Sequence, residues 1–307
     1  MKVWKKALIG VAAALAVAIL SLVIAKYAYV AKYNGSKREL DFACSDTNVT
    51  DGEIKVMSAN LRCDAMFDFG KRTWQYRADL IAKNIEQVKP TIIGMQEATK
   101  WQYEYYRDIL KNYDSEIVYR DTTFNSEGCP IFYRSDLYDL VDKGSFWLSE
   151  TPDVMSKDWG AACYRICSYV ILQDKATESE FVVFNTHLDH VSDLARINGI
   201  NVVLEKIRQF GGLPSVIMGD LNAEENSDTY RAATENFDDV KYRVSNGYIG
   251  HCTYQNWGTQ LDYPTIDYFM ISKAGFTVNS YEVITATYNG AYPSDHFSIV
   301  TKLTLTN

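Results

Sequence analysis

"SVIMGDLNAEEN" (residues 215–226) carries an apolar run straight into a turn that holds Asp220 and Asn222 two positions apart. A short apolar run bounded by turn residues reads as a buried strand, and open α/β sheets place their sites at the carboxyl ends of such strands. The same plan recurs on both sides. Just upstream, "FVVFNTHLDH" (181–190) turns polar at His187, and Ile197, Ile200, Leu204 and Ile207 form a helical stripe behind a Ser192 cap, ended by Gly211-Gly212. Further upstream, "EIKVMSANLR" (53–62) turns polar at Asn60. "RADLIAKNIEQVKP" then sets Ile81, Ile85 and Val88 on one helical face before Pro90, and "TIIGMQEAT" (91–99) reads as a buried strand ending in Glu97. Downstream, "PTIDYFMIS" puts Asp267 inside an otherwise apolar strand, and "YPSDHFSIV" puts Asp295 and His296 in a turn entering the last strand.

Two strand–helix–strand units therefore each deliver polar side chains at strand ends. One aspartate after a strand is an ordinary turn residue or helix cap. Asn60, Glu97, His187, Asp220, Asn222, Asp267, Asp295 and His296 together are not, and three of the chain's 4 histidines (187, 190 and 296) fall in these turns. A cluster of carboxylates and amides without cysteine suits magnesium or manganese better than zinc. The zinc-protease signature H-E-x-x-H and the nucleophile turn G-x-S-x-G are both missing. So is the G-N-H-[DE] element of calcineurin-like metallophosphatases.

In their order, "MSANLR", "GMQEAT", "NTHLDH", "MGDLNAE", "TIDYFMI" and "PSDHFSIV" resemble the endonuclease/exonuclease/phosphatase superfamily, from Glu53 to Leu305. The resemblance implies a four-layer α/β/β/α sandwich of the deoxyribonuclease I type, which the alternation of elements alone does not separate from a doubly wound single sheet. It casts Glu97 as principal ligand, with Asn60 and Asp295 beside it, for one or two Mg2+ or Mn2+ ions. Asp220 becomes the carboxylate that orients or deprotonates the attacking water, and Asn222 a donor to the phosphate. His187 and His296 would contact nonbridging oxygens, each a better donor when protonated, with Asp267 holding His296 charged. Arg165, in "WGAACYRICSYV", takes the place of a phosphate-contacting arginine. Asp189 and His190 read as supports behind the site residues or as a helix-entry cap, His251 as an ordinary loop residue, and Trp147 and Trp159 as cleft rim or packing. The implied reaction is metal-dependent hydrolysis of a phosphodiester in nucleic acid or nucleotides by direct attack of water. A phospholipid headgroup, a phosphomonoester and a binding protein without catalysis are the alternatives.

The chain is 307 residues long and 47% apolar, enough for a sizeable core. Its formal net charge of -8 argues against tight sequence-blind binding to a polyanion. Lys2, Lys5 and Lys6 precede an apolar run from Ala7 to Ala25, about the length that crosses a hydrocarbon layer as a helix. The expected organisation is a signal anchor or transmembrane helix over 1–33, a polar linker over 34–52 and the catalytic domain over 53–307. The domain would face outward from a cell membrane, or be secreted if the helix is a cleaved signal, and no protein partner is predicted. The 6 cysteines (44, 63, 129, 163, 167 and 252) leave disulfides and free thiols equally open.

Overall fold

The computed structural model describes residues 2–33, 39–42, 50, 52–244 and 252–306, so His251 and Cys44 lie outside the described residues. A first helix, α1 (Lys2–Tyr33), precedes β1 (Glu53–Asn60), α2 (Trp74–Val88), β2 (Ile92–Gln96), β3 (Ala98–Thr99) and α3 (Lys100–Ile109). The middle of the chain forms β4 (Tyr113–Glu116), β5 (Glu127–Gly128), β6 (Ile131–Arg134), β7 (Tyr138–Trp147), β8 (Ile166–Asp174) and β9 (Glu180–His187). Then come α4 (Asp193–Arg208), β10 (Ser215–Asp220), α5 (Asp228–Asn236), β11 (Phe237–Asp239), β12 (Asp267–Ser272), β13 (Phe276–Ile284) and β14 (Ser298–Leu305).

Twelve of these strands form two sheets, ordered β13-β14-β1-β2-β6-β4 and β11-β12-β10-β9-β8-β7. Each strand–helix–strand unit read from the sequence is a parallel pair, β1 with β2 and β9 with β10, but the two pairs belong to different sheets. The alternation is thus a two-sheet sandwich and not one doubly wound sheet. Burial explains why the strands read as continuous apolar runs: every residue of β2 and β10 is buried, as strands covered on both faces require. Between the sheets lie Val56, Ile92, Val183, Val216, Phe269 and Ile299. Outside the first sheet, Ile81, Ile85 and Tyr106 pack on Ile93 and Met95. Outside the second, Ile200, Leu204 and Ala233 pack on Phe184 and Ile217. Each fully buried aliphatic or aromatic side chain contributes about 1.5–3 kcal/mol.

The sheets approach closely under the site. A Cβ on Gly94 of β2 would fall 2.3 Å from Cε of Met218 on β10. Gly219, at φ +137°, is more restricted still, since a Cβ there would lie 1.9 Å from the Thr186 carbonyl oxygen. Only glycine fits between Met218 and Asp220.

Some expectations shift in detail. The buried face of α4 is Ala195, Gly199, Ile200, Val203 and Leu204, so Ile197 is only half-buried. Asp267 opens β12 instead of lying within it. Within the expected linker, Leu40 and Phe42 are buried in the layer under α2 and α3. Leu40 exchanges backbone bonds with Ile109 and Lys111, and the Asn112 amide donates to Asp41 Oδ1 and the Phe42 carbonyl. These residues belong to the folded unit, and the domain edge falls before residue 53. All five described cysteines are free thiols. The apolar stretch Trp4–Ala25 of α1 is long enough to cross a membrane, and none of it is buried against the rest of the protein.

Candidate active site

Register assembles the candidate residues. Across the second sheet Asp220 pairs with His187 in the parallel direction and with Asp267 in the antiparallel one, so β9, β10 and β12 deliver three polar residues in one row. In the first sheet Asn60 stands opposite Gln96, and Glu97 follows immediately. Asn60 Nδ2 joins the two halves, donating to Glu97 Oε1 (3.2 Å) and to Asp220 Oδ2 (3.1 Å), while its Oδ1 accepts from Arg62 N (2.9 Å). The Cys63 N–H donates to Glu97 Oε2 at 2.9 Å. The backbone is left-handed at Arg62 (φ 54°), Glu97 (φ 57°) and Asn222 (φ 46°). Strained non-glycine residues of this kind persist where the surroundings hold them, often at functional sites.

The two histidines differ in charge. His296 Nδ1 lies 2.9 Å from Asp267 Oδ2, and its Nε2 is 3.7 Å from Asp220 Oδ2. Burial alone would disfavour the imidazolium, but the Asp267 carboxylate outweighs it and raises the pKa to about 10. His187 Nε2 sits 3.5 Å from the same Asp220 oxygen, yet burial and the nearby Arg165 hold its pKa well below the usual histidine value. His187 has the Asp220 carboxylate at one ring nitrogen, whereas His296 has Asp220 at one and Asp267 at the other, so burial and Arg165 favour the neutral form of His187 while Asp267 favours the charged form of His296. Burial, and then the Asp267 charge, raise Asp220 to about 7.

These groups open on a cleft of about 350 Å³ lined by Glu97, Arg165, His187, Asp220, Asn222, Asp295 and His296 among others. Asn60 and Asp267 do not line it and act through the neighbours to which they bond. The Asn222 N–H donates to Asp220 Oδ1 (2.8 Å) and its side-chain amide to the Leu188 carbonyl (3.1 Å). Arg165, just before β8, is buried, with one nitrogen 3.0 Å from His190 Nδ1 and Nε 3.7 Å from Asp189 Oδ2. Asp189 also accepts from the N–H groups of Ala162, Cys163, Val191 and Ser192, so it orders the loops on either side of Arg165. The helix cap itself is Ser192, whose Oγ accepts from Ala195 N. Trp147 and Trp159 support the rim from behind: the Trp147 indole donates to the Arg120 carbonyl, and the Trp159 carbonyl accepts from Ser192 Oγ.

Several cleft residues escaped the sequence reading. Arg62 lies 3.3 Å from Asp68 and 3.8 Å from Asp295. Arg120 pairs with Glu127 at 2.8 Å, and burial, then the Glu97 charge, raise Glu127 to about 7. Behind them Arg77 is wholly buried and donates to the carbonyls of Leu61, Arg62, Arg72 and Pro293, clamping the turn after β1 to the turn before His296. Between the sheets Gln96 Nε2 donates to Asn185 Oδ1 at 2.6 Å, and Asn185 Nδ2 to the Met95 and Pro130 carbonyls. Arg62 closes the block "MSANLR", and that position is its only signal, while Glu127 lies in none of the quoted blocks. Arg77 on a helix gave none.

The donor set suits a hard divalent cation. Asp220 and Asp295 are buried carboxylates and Glu97 a half-buried one in the same cleft, and burial raises Asp295 against the pull of the His296 imidazolium. Glu97 is held low by the Cys63 N–H, which overcomes its burial with help from His296 and Arg62, so it is ready to ligate. Atoms of Asp220, Asp267 and His296 also lie within 4.8 Å of one another, a buried group able to hold a metal. There, however, His296 Nδ1 is already committed to Asp267.

A sequence model described as "Endonuclease/Exonuclease/phosphatase family" matches residues 57–296. Among solved structures, a family protein from Bacteroides thetaiotaomicron superposes with a TM-score of 0.78 at 33% identity, covering 84% of this chain and 100% of that one. A mannosyl-6-phosphatase of the same species gives 0.75 at 34% identity, covering 83% and 100%. Of the curated relatives, human Nocturnin is 23% identical over 85% of this chain and 68% of its own length. The chain spans less than half of the first curated relatives: 46% of an uncharacterised mimivirus protein, and 24% of a Neosartorya fischeri Ccr4 exoribonuclease subunit that is 26% identical over 48% of this chain.

Proposed function

The chain belongs to the endonuclease/exonuclease/phosphatase family, whose members are phosphoester hydrolases dependent on divalent metal, and from that premise we propose that it hydrolyses a small phosphorylated compound by direct attack of water. The observation that carries the reading is the position of Asp220 between His187 and His296, facing Glu97 and Asp295 across the cleft. Held by Glu97 and Asp295, with the Asn60 amide beside them, a magnesium or manganese ion would polarise a phosphoryl oxygen and offset charge on the departing oxygen. Asp220, with its raised pKa, orients the water and accepts its proton near neutral pH. His296, charged by Asp267, and neutral His187 donate to nonbridging oxygens, where such donors count most. Asn222 and Arg165 complete the phosphate contacts. No covalent intermediate is involved.

The compact cleft, the net charge of -8 and the likeness to a mannosyl-6-phosphatase favour a phosphomonoester. This reverses the order drawn from the sequence. A nucleotide phosphodiester is the second reading, supported by the match to the Ccr4 exoribonuclease subunits. We read α1 as an uncleaved anchor with the domain on the outer side.

The test uses the full chain in detergent with p-nitrophenyl phosphate and bis-p-nitrophenyl phosphate, each with Mg2+, Mn2+ or EDTA. Metal-dependent release from the monoester is expected, abolished in Glu97→Ala with an unchanged circular-dichroism spectrum. Release from the diester alone would favour the second reading, and wild-type turnover in Glu97→Ala would remove the site assignment.

A further inference from the structure

A second chamber, of about 440 Å³, adjoins the cleft on the far side of Asn222. Four residues line both spaces, His190, Asn222, Tyr263 and Ile266, so the two are continuous. Nothing in the proposed chemistry uses the second one. Its remaining wall comes from the starts of α4 and α5 and the turn after β10, chiefly Asp193, Arg196, Glu224 and Asn226.

The three arginines of the cleft, Arg62, Arg120 and Arg165, lie on its own side of Asn222, among the carboxylates of Glu97, Glu127, Asp220 and Asp295. In the chamber the single arginine, Arg196, is bonded to the Asp193 carboxylate and the Asp189 carbonyl. Glu224 forms no ion pair with any described residue, which leaves the chamber one unbalanced negative charge. Both Glu224 and Asn226 are exposed, and among the described residues it is their backbone carbonyls that accept hydrogen bonds, from Ser227 Oγ and Arg231, which leaves the side chains to solvent or a ligand. The apolar part of the wall is small: Ala223, Ile266 and the Tyr263 ring.

We propose that this chamber receives the alcohol part of the substrate, and that this alcohol is a polyhydroxylated group of hexose size instead of the next nucleotide of a strand. The proposal rests on the phosphoester-hydrolase reading above and deepens it. Hydroxyl groups can donate to the Glu224 carboxylate and both donate to and accept from the Asn226 amide, the match that neutral polyols make with carboxylate and amide walls. A strand would bring a second phosphate beside Glu224, and like charges at close range repel.

The experiment compares kcat/KM of the full chain with Mg2+ on a panel of hexose 6-phosphates, on p-nitrophenyl phosphate and on a 5′-phosphorylated dinucleotide. The wild type should prefer at least one hexose 6-phosphate over the dinucleotide by tenfold or more. Glu224→Lys and Asn226→Ala, both at exposed positions, should lower the ratio of hexose 6-phosphate to p-nitrophenyl phosphate about tenfold through KM, and Glu224→Lys should raise relative turnover of the dinucleotide. A wild-type preference for the dinucleotide, or variants that leave these ratios unmoved, overturns the assignment of the chamber. Absence of metal-dependent turnover on all three substrates, or full turnover in Glu97→Ala, fails the underlying reading instead and takes the chamber proposal with it.

Discussion

Asp267 shows how a residue outside the cleft sets the chemistry within it. Asp267→Asn preserves shape but removes the charge that keeps His296 an imidazolium, so kcat on p-nitrophenyl phosphate should fall by about 10²-fold or more with KM little changed. A kcat within a few-fold of wild type would show that His296 needs no counter-charge. Asp189 gives a different signal. Burial opposes its ionisation, but the N–H groups of Ser192, Val191 and Cys163 and the charge of Arg165 prevail and hold its pKa below the usual carboxylate value. A carboxylate depressed in the folded state stabilises the protein above its unfolded pKa, about 3.9, and that stability is lost as the pH falls through the folded value. Asp189→Asn should therefore lower Tm at pH 7, with the gap to wild type closing as the pH drops below about 4; a constant gap would mean that shape alone matters. Residues that the structure gathers in the candidate site stood out at strand ends, as a carboxylate or histidine after an apolar run does. Arg77, Gln96 and Asn185 were not, because a buried polar side chain looks like a solvated one until its partners are known.

Elements were legible wherever one period ran long enough. The apolar runs of β9 and β10 and the stripe of α2 announce themselves, whereas the pairing of β10 with both β9 and β12, which sets His187 and Asp267 beside Asp220, is a matter of register that no single run contains. The segment 39–42 failed for the opposite reason: two apolar residues, Leu40 and Phe42, are too few to show a period in polar surroundings. Their burial makes a test. Leu40→Ala or Phe42→Ala should cost about 2–5 kcal/mol, read as a lower urea midpoint at unchanged slope, and a chain begun at Glu53 should be less stable than one begun at Glu39. Equal midpoints would return the segment to the role of a tether.

For the whole molecule, the two-sheet sandwich followed from the motif order, and the order of the strands within each sheet needed the structure. An exposed apolar helix beside a folded domain predicts physical behaviour that a fractionation experiment reads directly. The full chain should sediment with membranes and resist extraction by high salt or alkaline carbonate, while residues 39–307 should remain in the supernatant; full-length protein in the supernatant would mean that α1 does not insert, and a shortened product there that α1 is removed. The pairing of β1 with β14 adds a matter of timing. Glu53 waits for Thr304, and Ser58 for Ile299, which at about 5–20 residues per second is tens of seconds of ribosome time. Helix α1 emerges before any of this and needs no partner, so throughout that interval the apolar helix is available to a membrane while the proposed site still lacks Asp295 and His296.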